Sequence, residues 1–169
     1  MFGRILKALI GGARMAATAA GKTAPPIELA DTDGKQHSLH PALAKGPVLA
    51  AFFKVSCPTC QYTFPFVERI YQQMRDKGVQ VWGISQDNAP DSQRFAREYD
   101  ITFPILIDDD HYETSLEYGV KYVPTLFLIA PDGHVQISSE GFTKADLLEI
   151  HKSFAKQLSA KPPELFQPN

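Results

Sequence analysis

The most pronounced feature of the hydrophobic pattern is a near-continuous apolar run from Pro47 to Val55 (PVLAAFFKV). A run of strand length without alternation suits a strand covered on both faces, as at the centre of an α/β sheet. Before it, Ile27-Glu28-Leu29 and Gln36-His37-Ser38-Leu39 flank Asp33-Gly34, the pattern of a β-hairpin. After it, Phe64, Val67, Ile70, Tyr71 and Met74 recur at helical spacing. They predict a helix over 61–77 that Pro65 should kink and Gly78 should close. Val79 to Ser85 reads as the next strand, with Trp82 in the core; 91–99 reads as a short helix. Phe103 to Ile107 reads as a strand, and 111–118 as a helix stopped by Gly119. Thr125 to Ala130 and His134 to Ser138 flank the turn Pro131-Asp132-Gly133. Thr143 to Leu158 forms the closing helix, with Thr143 as N-cap and Asp146 in the capping-box position. This order predicts an α/β fold, a mixed central sheet with helices on both faces.

Gly21 to Pro26 reads as a linker, dividing the chain into an N-terminal extension (1–23), one domain (24–160) and a proline-containing tail (161–169). In the extension, Phe2, Ile5, Leu6, Leu9, Ile10 and Ala13 recur at helical spacing, with Arg4, Lys7 and Arg14 off that stripe. Three readings stand: a secretory signal ending near Ala17-Thr18-Ala19, a basic amphipathic helix touching a membrane surface through residues 1–20, and a dispensable extension. Lys7 and Arg14 interrupt the apolar run that a signal needs. No stretch approaches the ~20 apolar residues of a membrane span.

Composition narrows the chemistry. The 169 residues are 44% hydrophobic and 21% charged, with net charge −2. Lysines and arginines are scattered without a basic stripe, so nucleic acid is not an expected partner. There are two cysteines, Cys57 and Cys60, and a disulfide between them would close too short a loop to serve as a structural staple. The pair therefore reads as redox chemistry or as half a metal site.

A strand running straight into Cys57 and then a helix makes Cys57 the N-cap, with the Thr59 and Cys60 amides directed towards its sulfur. Those donors and the helix dipole favour an anion there, and the thiolate is the nucleophile of disulfide exchange. Pro58 occupies the first helical position, where a missing N–H costs nothing. Cys60 lies one turn on, its Cβ about 5–6 Å from that of Cys57, within a small adjustment of disulfide geometry. A metal reading would recruit His37 and His40 as a second ligand pair. Zinc ribbons, however, hold their cysteines in short knuckles, not where an apolar strand opens a long helix, so no metal and no cofactor is expected. His111, His134 and His151 read as surface residues.

Phe52-Phe53-Lys54-Val55-Ser56-Cys57-Pro58-Thr59-Cys60 resembles the active-site stretch of the thioredoxin superfamily. Tyr118 to Ile129 (YGVKYVPTLFLI) resembles that superfamily's second signature, in which a cis-proline faces the cysteine pair. Ala24-Pro25-Pro26, Asp33-Gly34-Lys35 and Phe103 to Asp108 (FPILID) are similar to the redoxin branch, the TlpA-like and AhpC/TSA-like proteins. The resemblance, over about 24–158, implies a thioredoxin-like fold with an N-terminal β-hairpin and a central helical insertion. It also implies a cis Val123–Pro124 bond, with the Val123 backbone offering hydrogen bonds to a substrate strand beside Cys57.

The function it implies is a thiol–disulfide oxidoreductase using the Cys57/Cys60 couple to reduce or oxidise protein thiols, with an antioxidant or redox-homeostasis role. Its partners would be protein disulfides or dithiols and an electron donor that the sequence does not identify. The alternative is a peroxiredoxin-type peroxidase with Cys57 peroxidatic and Cys60 resolving. Against it, the peroxiredoxin threonine position is Lys54, and the position nearest its arginine is Pro124. The thioredoxin family's buried aspartate and the cytochrome-maturation relatives' glutamate are replaced by Ala51 and Thr63. Lys54 is a candidate to favour the Cys57 thiolate instead. Phe64, Pro65 and Phe66 either cover the cysteine end of the helix or form an apolar docking patch. A cytoplasmic location is expected, with periplasmic or membrane-associated placement following if residues 1–20 are a signal or an anchor.

Overall fold

A computed structural model describes residues 17–157. In chain order, Glu28–Ala30 (β1) and Gln36–Ser38 (β2) form the expected antiparallel hairpin. Leu39, read as the end of that strand, instead opens a short helix, Leu39–Leu43 (α1). Val48–Phe53 (β3) is buried at all six positions, as its apolar run requires. Pro58–Met74 (α2) follows; it starts where the N-cap reading of Cys57 places it, three residues before the apolar spacing sets in, and continues through Pro65. Gly78, at φ 82°, ends the 3₁₀ turn Arg75–Lys77 in the left-handed region, as a closing glycine should. Then come Gln80–Ser85 (β4), Ala89–Glu98 (α3), Ile105–Ile107 (β5) and Glu113–Glu117 (α4). β5 starts two residues later than expected, because Pro104 has no N–H to give the ladder. Thr125–Ile129 (β6), Val135–Glu140 (β7) and Lys144–Gln157 (α5) complete the chain.

The main sheet has the order β5-β4-β3-β6-β7, with β3, β4 and β5 parallel, β6 antiparallel to β3, and β7 antiparallel to β6. Alternation along β3 separates two cores. Leu49, Ala51 and Phe53 pack with Phe64, Ile70, Leu147 and Phe154 of α2 and α5. Val48, Ala50 and Phe52 pack on the other face with Ile27, Leu39, Trp82 and Tyr118. Trp82 is thus a core residue, and its ring meets His37 edge-on at 5.7 Å.

The segment read as a linker is bonded to the sheet. Gly21 N–H donates to Val135 O at 2.8 Å, Val135 N–H to Lys22 O at 2.9 Å, and Thr23 bridges His134. These bonds cover the outer edge of β7, while Asp31 bridges Leu106 at the opposite edge of the sheet. The readings of residues 1–16 and of the tail at 161–169 lie outside the described residues. Among the described residues, no helix is long and apolar enough to cross a membrane.

One surface assignment is corrected. His111 and His134 are exposed beside Asp110 and Asp132, but His151 is only 3% exposed, on the face of α5 that enters the core. Its sequence setting, between Ile150 and Lys152, gives no hint of this unless the helix phase is followed from Leu147 to Phe154. The capping-box residue Asp146 accepts the Ser139 hydroxyl of β7 at 2.6 Å.

Two stability predictions follow from packing. At Gly83 a Cβ would lie 3.2 Å from Phe103 and Phe53 and 3.3 Å from Ile105. Gly83→Ala should therefore destabilise the fold by about 1–3 kcal/mol through overpacking, read from the denaturant midpoint. Burial pushes His151 below the ordinary histidine range, and its Nε2 has no hydrogen-bond partner among the described residues. The folded chain then resists the proton that the unfolded chain accepts. Stability should hold above pH 6.5, the ordinary histidine value, and fall as pH drops below it. His151→Leu should flatten that part of the pH–stability curve, and an unchanged slope would remove His151 as its source.

Candidate active site

The end of β3 aims the chain at the N-terminus of α2, and Cys57 sits at the junction as N-cap, with φ −84° and ψ 113°. Its Sγ accepts the Cys60 N–H at 3.1 Å, in the manner of an oxygen-bearing cap. The Thr59 amide, also expected to point there, does not join it; Thr59 contributes its carbonyl, which accepts the Thr63 hydroxyl at 2.6 Å. Pro58 occupies the first turn, where it displaces no helical hydrogen bond.

The two cysteines occupy opposite environments. Cys57 is partly exposed, while Cys60 is fully buried against Phe53 and Phe64. Burial first, and then the hydrogen bond with Cys57, push the Cys60 thiol far above the ordinary range. The backbone of Lys54 opposes that rise in part. Lys54 therefore meets the site through its backbone: its carbonyl also accepts the Cys57 N–H at 3.2 Å, and its side chain is exposed.

Facing the pair is the loop before β6. Val123–Pro124 is cis, and the Cys57 thiol donates to Val123 O at 3.4 Å. The loop is tied down on both sides. Thr125 Oγ1 donates to Tyr122 O at 2.7 Å, and Gly141 N–H to Pro124 O at 2.8 Å. The structure thus brings together Lys54, Cys57, Pro58, Thr59, Cys60, Val123 and Pro124, all of the residues the sequence singled out for the site.

The histidines considered as metal ligands are elsewhere. His37 Nε2 bonds Asp31 Oδ2 at 2.8 Å, and its ring packs on Trp82, on the face of the sheet opposite to Cys60. No group of three or more histidine, cysteine, aspartate or glutamate residues among those described could hold a metal ion.

The aromatic residues after Cys60 divide. Phe64 is buried in the core. Phe66 stacks with Tyr62 and Phe142 at ring distances of 5.6 Å each, and Tyr62 is 59% exposed. Tyr122, next to Val123, is 67% exposed. Apolar surface therefore lies beside the dithiol on both the α2 and the cis-proline side.

Two residues were missed. Gln61 Nε2 donates to Val55 O at 2.9 Å, and Asp87 Oδ2 accepts the Val55 N–H at 2.8 Å. The sequence places Asp87 just after the strand that follows the cysteine-bearing segment, and no more. Only the parallel register, Phe53 opposite Ser85, turns that into proximity.

Residues 20–138 match the model of the AhpC/TSA family. The chain is 32% identical over 130 residues to the thiol-disulfide oxidoreductase ResA of Bacillus thuringiensis subsp. konkukian (strain 97-27), covering 76% of this chain and 74% of that protein. Its fold is similar to that of a structure described as a thiol:disulfide interchange protein DsbE from Chlorobium tepidum. There the TM-score is 0.74 at 26% identity, over 84% of this chain and 99% of that one. The peroxidoxin BcpB of Mycobacterium tuberculosis shares the fold at a TM-score of 0.68 and 21% identity, over 84% of this chain and 97% of that one. With its cysteine pair at the head of α2, a cis-proline loop opposite, and matches to a family model and to full-domain relatives, the chain belongs to the AhpC/TSA family of thioredoxin-like redoxins.

Proposed function

We infer that this thiol–disulfide oxidoreductase works with Cys57 as the attacking thiol and Cys60 as the resolving thiol. The observation that carries the reading is the asymmetry of the pair. Cys57 is reachable from solvent and held by a helix-terminal N–H, while Cys60 is buried one turn behind it with its thiol pushed up. A helix-terminal donor stabilises negative charge on the first sulfur. Burial keeps the second protonated until it is needed.

The exchange balances without a cofactor, and a separate thiol donor must then return the Cys57–Cys60 disulfide to the dithiol. The Cys57 thiolate attacks a substrate disulfide, forming a mixed disulfide and expelling one substrate thiolate, which takes up a proton. The Cys60 thiol then loses its proton as its sulfur attacks Cys57 Sγ. The second substrate thiolate leaves and is protonated, and two electrons have passed to the substrate. Run in reverse, the same pair oxidises a protein dithiol, and the direction follows the potentials of the two couples. Once Cys57 gives up its proton, Val123 O loses its donor and is free to accept an amide from an extended substrate segment. The exposed rings of Tyr62 and Tyr122 offer that segment apolar contact. Protein thiols and disulfides are the substrate class.

Peroxide reduction is the reading to be tested against this one. With a lysine at position 54 and proline at 124, the site lacks the family's usual donors for peroxide oxygens, and such donors supply much of a transition state's stabilisation. The reduced protein should react with a peptide disulfide faster than with hydrogen peroxide, followed by mass spectrometry of quenched samples. Peroxide reacting orders of magnitude faster would reverse the assignment.

Cys57→Ser should abolish exchange, whereas Cys60→Ser should stall as a stable adduct of protein and substrate. Under limiting iodoacetamide the reduced protein should be labelled at Cys57 first. Cys60 should resist even at pH 9, where an ordinary thiol of pKa about 8.5 is mostly ionised. Equal labelling of the two cysteines would contradict the division of roles.

A further inference from the structure

The last rung between β3 and β4 is the Gln86 N–H to Phe53 O bond, 3.1 Å long. Beyond it the chain leaves the sheet and turns into α2, so the backbone of Val55 has no strand beside it. Two side chains from different elements take over. Asp87 accepts the Val55 N–H at 2.8 Å, and Gln61 donates to the Val55 carbonyl at 2.9 Å.

Asp87 is itself held firmly. Its N–H donates to Ser85 Oγ at 3.1 Å. The Ser85 hydroxyl is bonded to that of Ser92 at 2.7 Å, both of them buried, and Ser92 gives its own proton to Asn88 O at 2.7 Å. The grip therefore extends into the first turn of α3.

What Val55 carries matters more than Val55. Its neighbour Lys54 supplies the carbonyl that receives the Cys57 N–H at 3.2 Å. A shift of this short strap moves that carbonyl, and the Cys57 backbone bonded to it, relative to Cys60.

We propose that Asp87 is a positioning residue of the dithiol. By holding the Val55 N–H from the end of β4, with Gln61 holding the Val55 carbonyl, it sets the geometry in which Cys60 attacks a disulfide on Cys57. The role rests on the dithiol reading above and adds to it a residue outside both redoxin signatures. It acts by hydrogen-bond acceptance, not by charge.

Ellman's disulfide separates the steps. Attack by Cys57 releases one thionitrobenzoate and leaves the other bound to its sulfur. Attack by Cys60 releases the second and closes the Cys57–Cys60 disulfide. In Asp87→Ala the second release should slow by about ten- to a hundredfold, the scale of a misplaced attack, with the first release little changed. Asp87→Asn retains an acceptor oxygen and should restore the second release close to the parent rate. An unchanged second release in Asp87→Ala overturns the proposal, and so does Asp87→Asn as slow as Asp87→Ala, since charge would then be the cause. If Asp87→Ala fails to fold, Gln61→Ala tests the same strap from its carbonyl side, and an unaltered second release there is equally contrary. A parent protein that releases a single thionitrobenzoate would instead remove the dithiol reading, a different failure from that of Asp87.

Discussion

A strand whose side chains are apolar on both faces has one stable place, the interior of a sheet covered above and below. β3 meets that demand at every position, and the rest of the molecule is arranged around it. Its parallel neighbour β4 and its antiparallel neighbour β6 are fixed in register against it. Each contributes what lies just past its end at the cysteine edge: Asp87 after β4, and the Val123–Pro124 loop before β6. The active site is where three chain segments emerge together from one buried ladder.

The chemistry depends on placing two identical side chains in unlike surroundings. A helical turn does this with little sequence. Position one is the cap, half in solvent, and position four is buried in the core that holds Phe53 and Phe64. One thiol is thereby available to an incoming disulfide while the other is protected from it. No acidic side chain is needed at positions 51 or 63, which are Ala51 and Thr63, to create that difference. Here the backbone of Lys54 offsets part of the rise that burial imposes on the Cys60 thiol.

The fold and the site were legible in the sequence to different depths. The central strand and the order of the strands follow from hydrophobic spacing, and the placing of the cysteine pair at the head of α2 follows from its strand-to-helix position. The cis-proline loop came through resemblance, because nothing in the spacing of Val123 and Pro124 shows that they face Cys57. Gln61 and Asp87 escaped because a polar residue near a strand end looks like any loop residue until the register is known. His151 escaped for the opposite reason: its neighbours in sequence are mixed, but those at helical spacing are apolar. Leu39 was placed in a strand since a single apolar residue after a hairpin fits either period. Local patterns thus identified elements, while pairings across the sheet decided which polar side chains met.

Trp82, the one tryptophan of the chain, is sealed into the core on the sheet face away from Cys60, against His37. The indole is therefore placed to report on the hairpin side of the molecule, and loss of its buried surroundings on unfolding gives an optical signal for that side of the sheet.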